Sequence, residues 1–149
     1  MKYNLNIKNK KAFFYYELLN KYKFIAGIVL LGSEVKSIKK NKVSINNSYC
    51  KLINNNIYVY DMYISNSSFG ENFDSKRIKK ILIKKKEISK IKKKINELKL
   101  NIIPTKIIVN NRGYIKLIFF LAKSKKKYDK RKLIKIKDIE REKKQLINN

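Results

Sequence analysis

The fold of this chain is decided by the stretch from Leu100 to Ala122, which reads LNIIPTKIIVNNRGYIKLIFFLA. Two β-prone apolar runs, residues 100–109 and 114–122, flank Asn110-Asn111-Arg112-Gly113, and Asn and Gly tolerate the positive φ angles of tight turns. This pattern predicts an antiparallel hairpin. Pro104 cannot donate a hydrogen bond to a neighbouring strand, so we expect it at a sheet edge or at a β-bulge.

A second hairpin is predicted earlier in the chain, where residues 48–53 and 57–62 flank Asn54-Asn55-Asn56. Residues 13–19 are interpreted as a strand or strand approach, residues 21–31 as a further apolar stretch, and residues 81–83 as a short strand. Antiparallel hairpins of this length usually close on themselves. We therefore predict a mainly β fold, a small antiparallel β-barrel of the oligonucleotide-binding (OB) type with two to three short helices.

Two helices are indicated between these strands. Ser33 is a predicted N-cap after Gly32, and Glu34 in the first turn would complement the helix dipole. Val35 and Ile38 of this helix should face the core. The second helix, residues 84–98, carries one apolar stripe at spacings of three and four, formed by Ile88, Ile91, Ile95 and Leu98. Residues 64–75 are predicted to form a loop.

The chain changes character after Ala122. Residues 123–149 contain twelve Lys or Arg and four acidic residues, with neither glycine nor proline. We expect two parts: residues 1–122 as the barrel domain, and residues 123–149 as a basic C-terminal tail that is disordered alone and helical when bound.

The net charge is the main clue to a partner. Thirty-eight Lys and Arg face eleven Asp and Glu, which gives +27. So large a charge repels itself unless an anionic partner neutralises it, and a nucleic acid is the commonest such partner. Only four of the basic residues are Arg, and a composition rich in Lys, Asn and Ile is typical of AT-rich genomes. Part of the charge is therefore background.

The residues that enzymes need are absent or scattered. The chain has no histidine, its acidic residues are dispersed outside the tail, and no glycine-rich phosphate loop is visible. Cys50 alternates with Tyr49 and Lys51 and is interpreted as a small core residue. We predict no catalytic residue, no metal and no cofactor. A lone cysteine, no signal peptide and no membrane-spanning run indicate a cytoplasmic protein.

Specific residues then carry a resemblance. The run from Ala26 to Ser37, AGIVLLGSEVKS, closely resembles the signature of the SsrA-binding family (small protein B), the transfer-messenger-RNA (tmRNA) binding proteins of bacterial ribosome rescue. Other matching motifs follow the family order over about residues 9–140: Asn9-Lys10-Lys11-Ala12, Asn47-Ser48-Tyr49, residues 84–88, the Pro104 strand, and residues 121–131.

The resemblance implies an RNA-binding protein and not an enzyme. It would bind the tRNA-like domain of tmRNA as a monomer in a 1:1 complex, with no membrane partner. It would deliver this RNA to the A site of stalled ribosomes for trans-translation, in which incomplete nascent peptides are tagged. Its tail would follow the mRNA channel from the small-subunit decoding centre as a helix.

The resemblance also implies site residues. Glu34 would accept hydrogen bonds from the RNA elbow, so Glu34→Ala should weaken RNA affinity with an almost unchanged melting temperature. Its alternative role, complementing the helix dipole, is worth only about 0.3–1 kcal/mol of stability. Tyr128 would stack on a decoding-centre base. The RNA-binding set is Asn9, Lys10, Lys11, Glu34, Lys36, Ser37, Lys84, Lys85, Lys123, Lys125 and Lys126. The ribosome-binding tail set is Lys127, Tyr128, Asp129, Lys130, Arg131, Lys135 and Lys137.

Several positions depart from the family pattern, namely Phe13, Phe14, Tyr15, Asp61, Tyr63 and Ser124. Two alternative functions share much of the same evidence. A generic ribosomal or single-stranded RNA-binding OB-fold protein would need the charge and the barrel, but neither the tail motif nor the glutamate. A nuclease on the same type of barrel would need clustered carboxylates for metal ions, which the scattered acids do not provide.

Overall fold

The computed structural model describes residue 5 and residues 7–66 and 74–125. Over these ranges the chain forms nine strands and three helices. In chain order they are β1 (Ile7–Lys8), α1 (Ala12–Tyr15), β2 (Tyr16–Ile28), α2 (Gly32–Lys39), β3 (Val43–Ser44), β4 (Tyr49–Ile53), β5 (Asn56–Tyr60), β6 (Tyr63–Ile64), β7 (Lys79–Leu82), α3 (Lys85–Leu98), β8 (Asn101–Val109) and β9 (Ile115–Ser124).

Six of the strands form a closed antiparallel ring. β8 pairs with β4, β4 with β5, β5 with β7, β7 with β2 and β2 with β9, and β9 returns to pair with β8. β1 pairs with β8 as a further strand, and β3 and β6 form a separate two-stranded sheet. Closure removes the unpaired edges that an open sheet would present. The predicted mainly β, OB-type barrel is confirmed.

Both predicted hairpins are present. Asn54 and Asn55 form the two-residue turn between β4 and β5 with φ angles of 49° and 63°. Two positive φ angles are the requirement of the turn that matches strand twist, which explains the Asn pair. In the second hairpin, Asn110 Oδ1 accepts the backbone N–H groups of Arg112 and Tyr114, and Gly113 supplies a positive φ of 84°.

The proline of β8 lies at a β-bulge, as predicted. Pro104 pairs with Phe119 and Lys106 pairs with Ile118, so Thr105 is an extra residue on β8. The Thr105 hydroxyl donates to the carbonyl of Ile118 across the bulge. A bulge leaves backbone groups without a ladder partner, and those of Pro104 and Thr105 are used by the N-terminal segment described below.

The core fills the barrel, and a smaller apolar cluster lies outside it. Fully buried side chains such as Ile57, Val59 and Phe119 belong to the main core. Adjacent residues of a strand point to opposite faces. Ile102 and Leu121 therefore belong to the main core, whereas their neighbours form the outer cluster, which is Ala12 of α1, Ile103 and Ala122. α1 thus packs on the outer surface of β8 and β9.

The N-terminal elements differ from the prediction. Residues 13–19 are predicted as a strand or strand approach, and residues 16–19 do belong to β2, which runs from Tyr16 to Ile28. Residues 13–15 instead belong to the helix α1, Ala12–Tyr15. The reason is tertiary, because a turn of helix lets Ala12 pack into the outer cluster. A register shift between Leu18 and Lys23 replaces the predicted separation of two apolar stretches.

Two helix details are also corrected. α2 begins at Gly32 with Leu31 as its N-cap, two residues before the predicted Ser33 cap, because the Leu31 N–H is bound by the Glu34 carboxylate. In α3, Ile88 and Ile91 are buried, but Leu98 is 44% exposed because the chain turns away at Lys99, whose φ is 51°.

β9 extends through Ser124, two residues beyond the predicted end of the barrel at residue 122. Residues 126–149 of the predicted tail and 67–73 of the predicted loop lie outside the described residues.

Candidate RNA-binding surface

Asn9 is the anchor of the N-terminal segment. It is buried, its backbone N–H donates to the Thr105 carbonyl at 2.8 Å, and its Nδ2 donates to the Pro104 carbonyl at 2.8 Å. Its Oδ1 accepts the backbone N–H of Lys11 at 3.2 Å. Asn9 therefore uses the bulge of β8 to fix the segment on the barrel, and in doing so it positions the two lysines that follow.

Lys10 and Lys11 are exposed beside the turn at residues 46–48. The Lys10 backbone N–H donates to Asn46 Oδ1 at 2.8 Å, and Lys11 Nζ donates to Asn47 Oδ1 at 3.0 Å. Neither interaction neutralises a charge, since an amide oxygen carries only a partial one. Both lysines therefore remain available to an anionic partner.

The end of β9 contacts α1, the helix that follows Lys11. The Lys125 backbone N–H donates to the Tyr15 carbonyl at 3.1 Å, and Lys125 Nζ donates to the Phe13 carbonyl at 2.6 Å. The structure thus brings Lys10, Lys11 and Lys125 together around α1, although they lie more than 110 residues apart in sequence. We call this group the α1 surface.

Glu34 lies in a different environment. Its side chain is fully buried, and Oε1 accepts the Leu31 N–H at 2.7 Å and Arg77 Nη2 at 2.6 Å. Oε2 accepts Arg77 Nε at 3.3 Å and lies 3.7 Å from Lys79 Nζ. We call Glu34, Arg77 and Lys79 the buried charge cluster. Its geometry pairs the fork of one guanidinium with the two oxygens of one carboxylate.

Lys79 completes this cluster inside the protein. Its ammonium donates to the carbonyls of Arg77 and Met62, at 2.5 Å and 3.4 Å. Burial lowers the pKa of Lys79 because the charged form loses hydration, and the nearby Glu34 carboxylate opposes that shift. The hydrogen bonds and the carboxylate together allow a lysine to be buried here.

Sequence reasoning missed Arg77 and Lys79, although one signal was available. The chain uses Lys for 34 of its 38 basic residues, and Arg77 is its only Arg before residue 112. Lys cannot replace the planar, two-pronged donor of Arg at a carboxylate. An arginine in so lysine-rich a chain is therefore a sign of a specific ion pair.

The other predicted RNA-binding residues lie at separate places in the described part of the chain. Ser37 on α2 is buried and its Oγ donates to the Ser65 carbonyl at 2.8 Å, whereas Lys36 is exposed. Lys84 occupies the N-cap position of α3 and Lys85 is the first residue of the helix, and both are exposed. Positive side chains at a helix N-terminus oppose the helix dipole, and a bound phosphate would relieve that repulsion. Lys84 and Lys85 follow the end of β7 opposite to Lys79, so they are separate from the buried charge cluster.

The structure shows the surroundings of two positions that depart from the family pattern. Phe13 is 67% exposed on α1 beside Lys125, and Ser124 Oγ interacts with Asn101 Nδ2 at 3.1 Å. Lys123 is exposed near the end of β9. The remaining predicted site residues lie outside the described residues: Lys126, Lys127, Tyr128, Asp129, Lys130, Arg131, Lys135 and Lys137.

A group of aromatic side chains was not predicted. Tyr49 and Tyr60 are cross-strand neighbours on β4 and β5, and their rings stack at 5.4 Å with an angle of 7°. Lys51 Nζ lies 5.5 Å from the Tyr49 ring centroid and 5.2 Å from that of Tyr60. Stacked rings beside a cation are typical of surfaces that bind single-stranded nucleic acids.

Features of other function classes are few in the described part of the chain. Within residues 7–66 and 74–125, no three His, Cys, Asp or Glu side chains are close enough to one another to hold a metal ion. Cys50 is buried, and burial raises the pKa of its thiol, which disfavours the reactive thiolate. None of the three described helices has the length and apolar character needed to cross a membrane.

Comparison with known proteins gives consistent results. Residues 6–149 match the family described as SmpB protein. The SsrA-binding protein of Cytophaga hutchinsonii is 46% identical, with 93% of this chain and 91% of the relative aligned. That of Mycoplasma mycoides subsp. mycoides SC is 43% identical over 95% of both chains. A chain of the solved structure described as "tmRNA-SmpB: a journey to the center of the bacterial ribosome" superposes with a TM-score of 0.67 and 32% identity, covering 86% of this chain and 93% of that one.

Proposed function

This chain belongs to the SmpB family, and from that premise we propose that it binds the tRNA-like domain of tmRNA and delivers it to the A site of stalled ribosomes for trans-translation. The observation that carries the proposal is similarity along nearly the whole chain to proteins named for SsrA binding. A partner of this kind supplies the phosphate charge that the net +27 of the chain requires.

The α1 surface and the exposed Lys36, Lys84 and Lys85 are the proposed phosphate contacts. These lysines are exposed or, in the case of Lys125, half-buried, and none forms an ion pair with a carboxylate in the described part of the chain. Lysines of this kind bind RNA by releasing condensed counterions, so the affinity should fall steeply with salt. Glu34 is proposed to contribute to RNA recognition indirectly. Its carboxylate binds Arg77 and the first turn of α2, and so fixes the position of that helix.

The tail is proposed to act on the ribosome. Lys123 and Lys125 bring the chain out of β9 beside α1, so the tail begins next to the α1 surface. With tmRNA bound at the α1 surface and the tail following the mRNA channel from the decoding centre, one protein would connect the RNA to the ribosome. Acting on ribosomes, the protein would work in the cytoplasm, and it would do so by binding rather than by catalysis.

A competition assay tests the choice of RNA partner. Labelled tmRNA is bound to the full chain at about 0.15 M salt and challenged with unlabelled tmRNA or with an unrelated RNA of equal length. We expect only tmRNA to compete efficiently, because non-specific electrostatic binding weakens steeply as salt rises. Equal competition by both RNAs would instead support a generic RNA-binding barrel.

Deletion of residues 128–149 tests whether the barrel binds tmRNA while the tail acts on the ribosome. We expect the shortened chain to bind tmRNA with nearly unchanged affinity and to lose tagging of nascent peptides in a reconstituted translation system. The full chain assayed in parallel is the control. Intact tagging by the shortened chain would show that the tail has no role on the ribosome.

A further inference from the structure

A cavity of about 310 Å³ lies between the N-terminal segment and the turn before β4. Its lining includes three tyrosines, two asparagine amides and one lysine, namely Tyr15, Tyr16, Tyr49, Asn46, Asn47 and Lys11. Its volume is at the lower end of the roughly 300–1,000 Å³ of ligand sites. A few flat rings, a few polar groups and one cation are thus gathered in a space of modest size.

The tyrosines of this cavity are held by packing. Tyr16 and Tyr49 pack against the outer apolar cluster, in which Ala12 of α1 contacts β8 and β9. Tyr49 is also fixed from the side by Tyr60, which stacks on it at 5.4 Å. Tyr60 and Lys51 both lie against the Tyr49 ring, and Tyr49 still lines the cavity, so a flat ligand there would meet the part of the ring that these two side chains leave uncovered. A ring that is already ordered loses little side-chain entropy on binding.

The amides of the cavity are oriented by the lysines beside them. Asn46 Oδ1 accepts the Lys10 N–H and Asn47 Oδ1 accepts Lys11 Nζ, so the Nδ2 groups of both residues are the donors left for a ligand. Neither Nδ2 donates to an acceptor within residues 7–66 and 74–125. Donors of this kind fit the ring nitrogens and carbonyl oxygens of nucleobases. Lys11 adds a charge suited to the adjoining phosphate.

We propose that this cavity binds one unstacked nucleobase of RNA, with the base stacked on Tyr49, an edge of the base bound by Asn46 or Asn47, and its phosphate near Lys11. Sequence-specific RNA recognition takes bases out of the helix, stacks them on aromatic side chains and reads their edges by hydrogen bonds. The proposal rests on the proposed function in taking RNA as the partner, and it goes beyond that function in assigning a base-binding site.

The first test compares tyrosine variants of the full chain in binding to transcribed tmRNA. Tyr49→Leu keeps an apolar side chain on the outer cluster but removes the ring, and should weaken affinity about tenfold, within the range of one base–aromatic stack. Tyr49→Phe keeps the ring and should stay within about twofold of the native affinity. Tyr114→Leu is the matched control, because Tyr114 is 64% exposed on a hairpin loop and does not line the cavity.

Asn47→Ala tests the same site without disturbing the packing, because Asn47 is exposed and its truncation leaves the packed tyrosine rings in place. We expect a loss of affinity of about threefold with an unchanged unfolding midpoint, as for a single exposed hydrogen-bonding group. If Tyr49→Leu and Asn47→Ala both bind tmRNA as the native chain does, the base site is wrong while the proposed function stands.

A second test does not depend on tmRNA. The full chain is titrated with AMP, GMP, CMP and UMP at millimolar concentrations, and backbone amide shifts are followed by NMR. At least one nucleotide should cause saturable shifts at residues 46–49, and Tyr49→Leu should abolish them. If no nucleotide shifts these amides, the site is overturned even where tmRNA binds. If tmRNA and unrelated RNA bind equally but the shifts occur, the base site stands and the choice of RNA partner is wrong.

Discussion

The buried charge cluster and the α1 surface use charged residues in opposite ways. Glu34 and Lys79 are fully buried and Arg77 is partly exposed, and the three satisfy one another, with distances of 2.6 Å and 3.7 Å from the carboxylate to its two partners. Lys10 and Lys11 of the α1 surface contact only amide oxygens or donate from the backbone, and their charges face solvent. Residues given the same role from sequence therefore divide into those that stabilise the barrel and those left for a partner.

This contrast predicts which substitutions unfold the protein and which only weaken its binding. A buried ion pair that loses one member leaves an uncompensated charge, whereas an exposed lysine can be removed at little cost. Unfolding free energy and RNA affinity, measured on the same variants, should therefore change independently in the two regions.

The largest effect is expected for Glu34→Ala, which leaves Arg77 and Lys79 without their anion. We expect a loss of about 3–5 kcal/mol of unfolding free energy, the cost of breaking a buried pair. Urea unfolding followed by circular dichroism measures it. This replaces the expectation from sequence of an almost unchanged melting temperature, because the carboxylate is fully buried. A loss below about 1 kcal/mol would mean that the helix dipole alone explains the residue.

Arg77→Lys should have the next largest effect. It retains the positive charge but removes the second prong of the contact with Glu34 and the Nη2 bond to the Val29 carbonyl. We expect a loss of about 1–3 kcal/mol, as for hydrogen bonds to charged groups. Arg112→Lys, at an exposed position of the β8–β9 hairpin, is the control and should be neutral. Equal stability of the two variants would show that Arg77 acts only through its charge.

Lys79→Met should change the pH dependence of stability. Because burial lowers the pKa of Lys79 from its ordinary value of 10.5, the folded protein holds this proton less tightly than the unfolded chain does. The charged amine therefore costs stability at pH values below its folded-state pKa, and that cost is relieved as the pH rises toward 10.5. Between neutral pH and 10.5 the native chain should thus gain stability relative to Lys79→Met, which unfolding curves at several pH values measure. Parallel curves for the two proteins would contradict the shift.

The smallest effect on stability is expected in the α1 surface. Lys10→Gln with Lys11→Gln should change the unfolding free energy by no more than about 0.5 kcal/mol. The same pair should weaken tmRNA binding and reduce the slope of log affinity against log salt by about one to two units, since each phosphate contact contributes roughly 0.7–0.9. Lys92→Gln with Lys93→Gln, on the exposed side of α3, is the control. An unchanged slope would remove the α1 surface from the proposed RNA contacts.

The features predicted correctly depend on local chemistry. The turn at Asn54 and Asn55 needs two positive φ angles, and asparagine supplies them wherever the chain lies. Pro104 lacks an N–H group, so the bulge beside it follows from the residue itself. The features that were missed depend on partners far along the chain. α1 forms where Ala12 meets Ile103 and Ala122, and the cap of α2 is set by a carboxylate that also holds Arg77, 43 residues away.

The sequence by itself determined the class of fold, the excess of positive charge and the resemblance to an RNA-binding family. These follow from residue type, spacing and order, which can be seen without knowing any contact. Only the tertiary structure decided which charges are buried and which remain free, because burial and pairing arise when strands distant in sequence close into a ring. Glu34 shows the difference most clearly, since its place in the motif was evident from sequence and its two cationic partners, of which Lys79 is fully buried, were not.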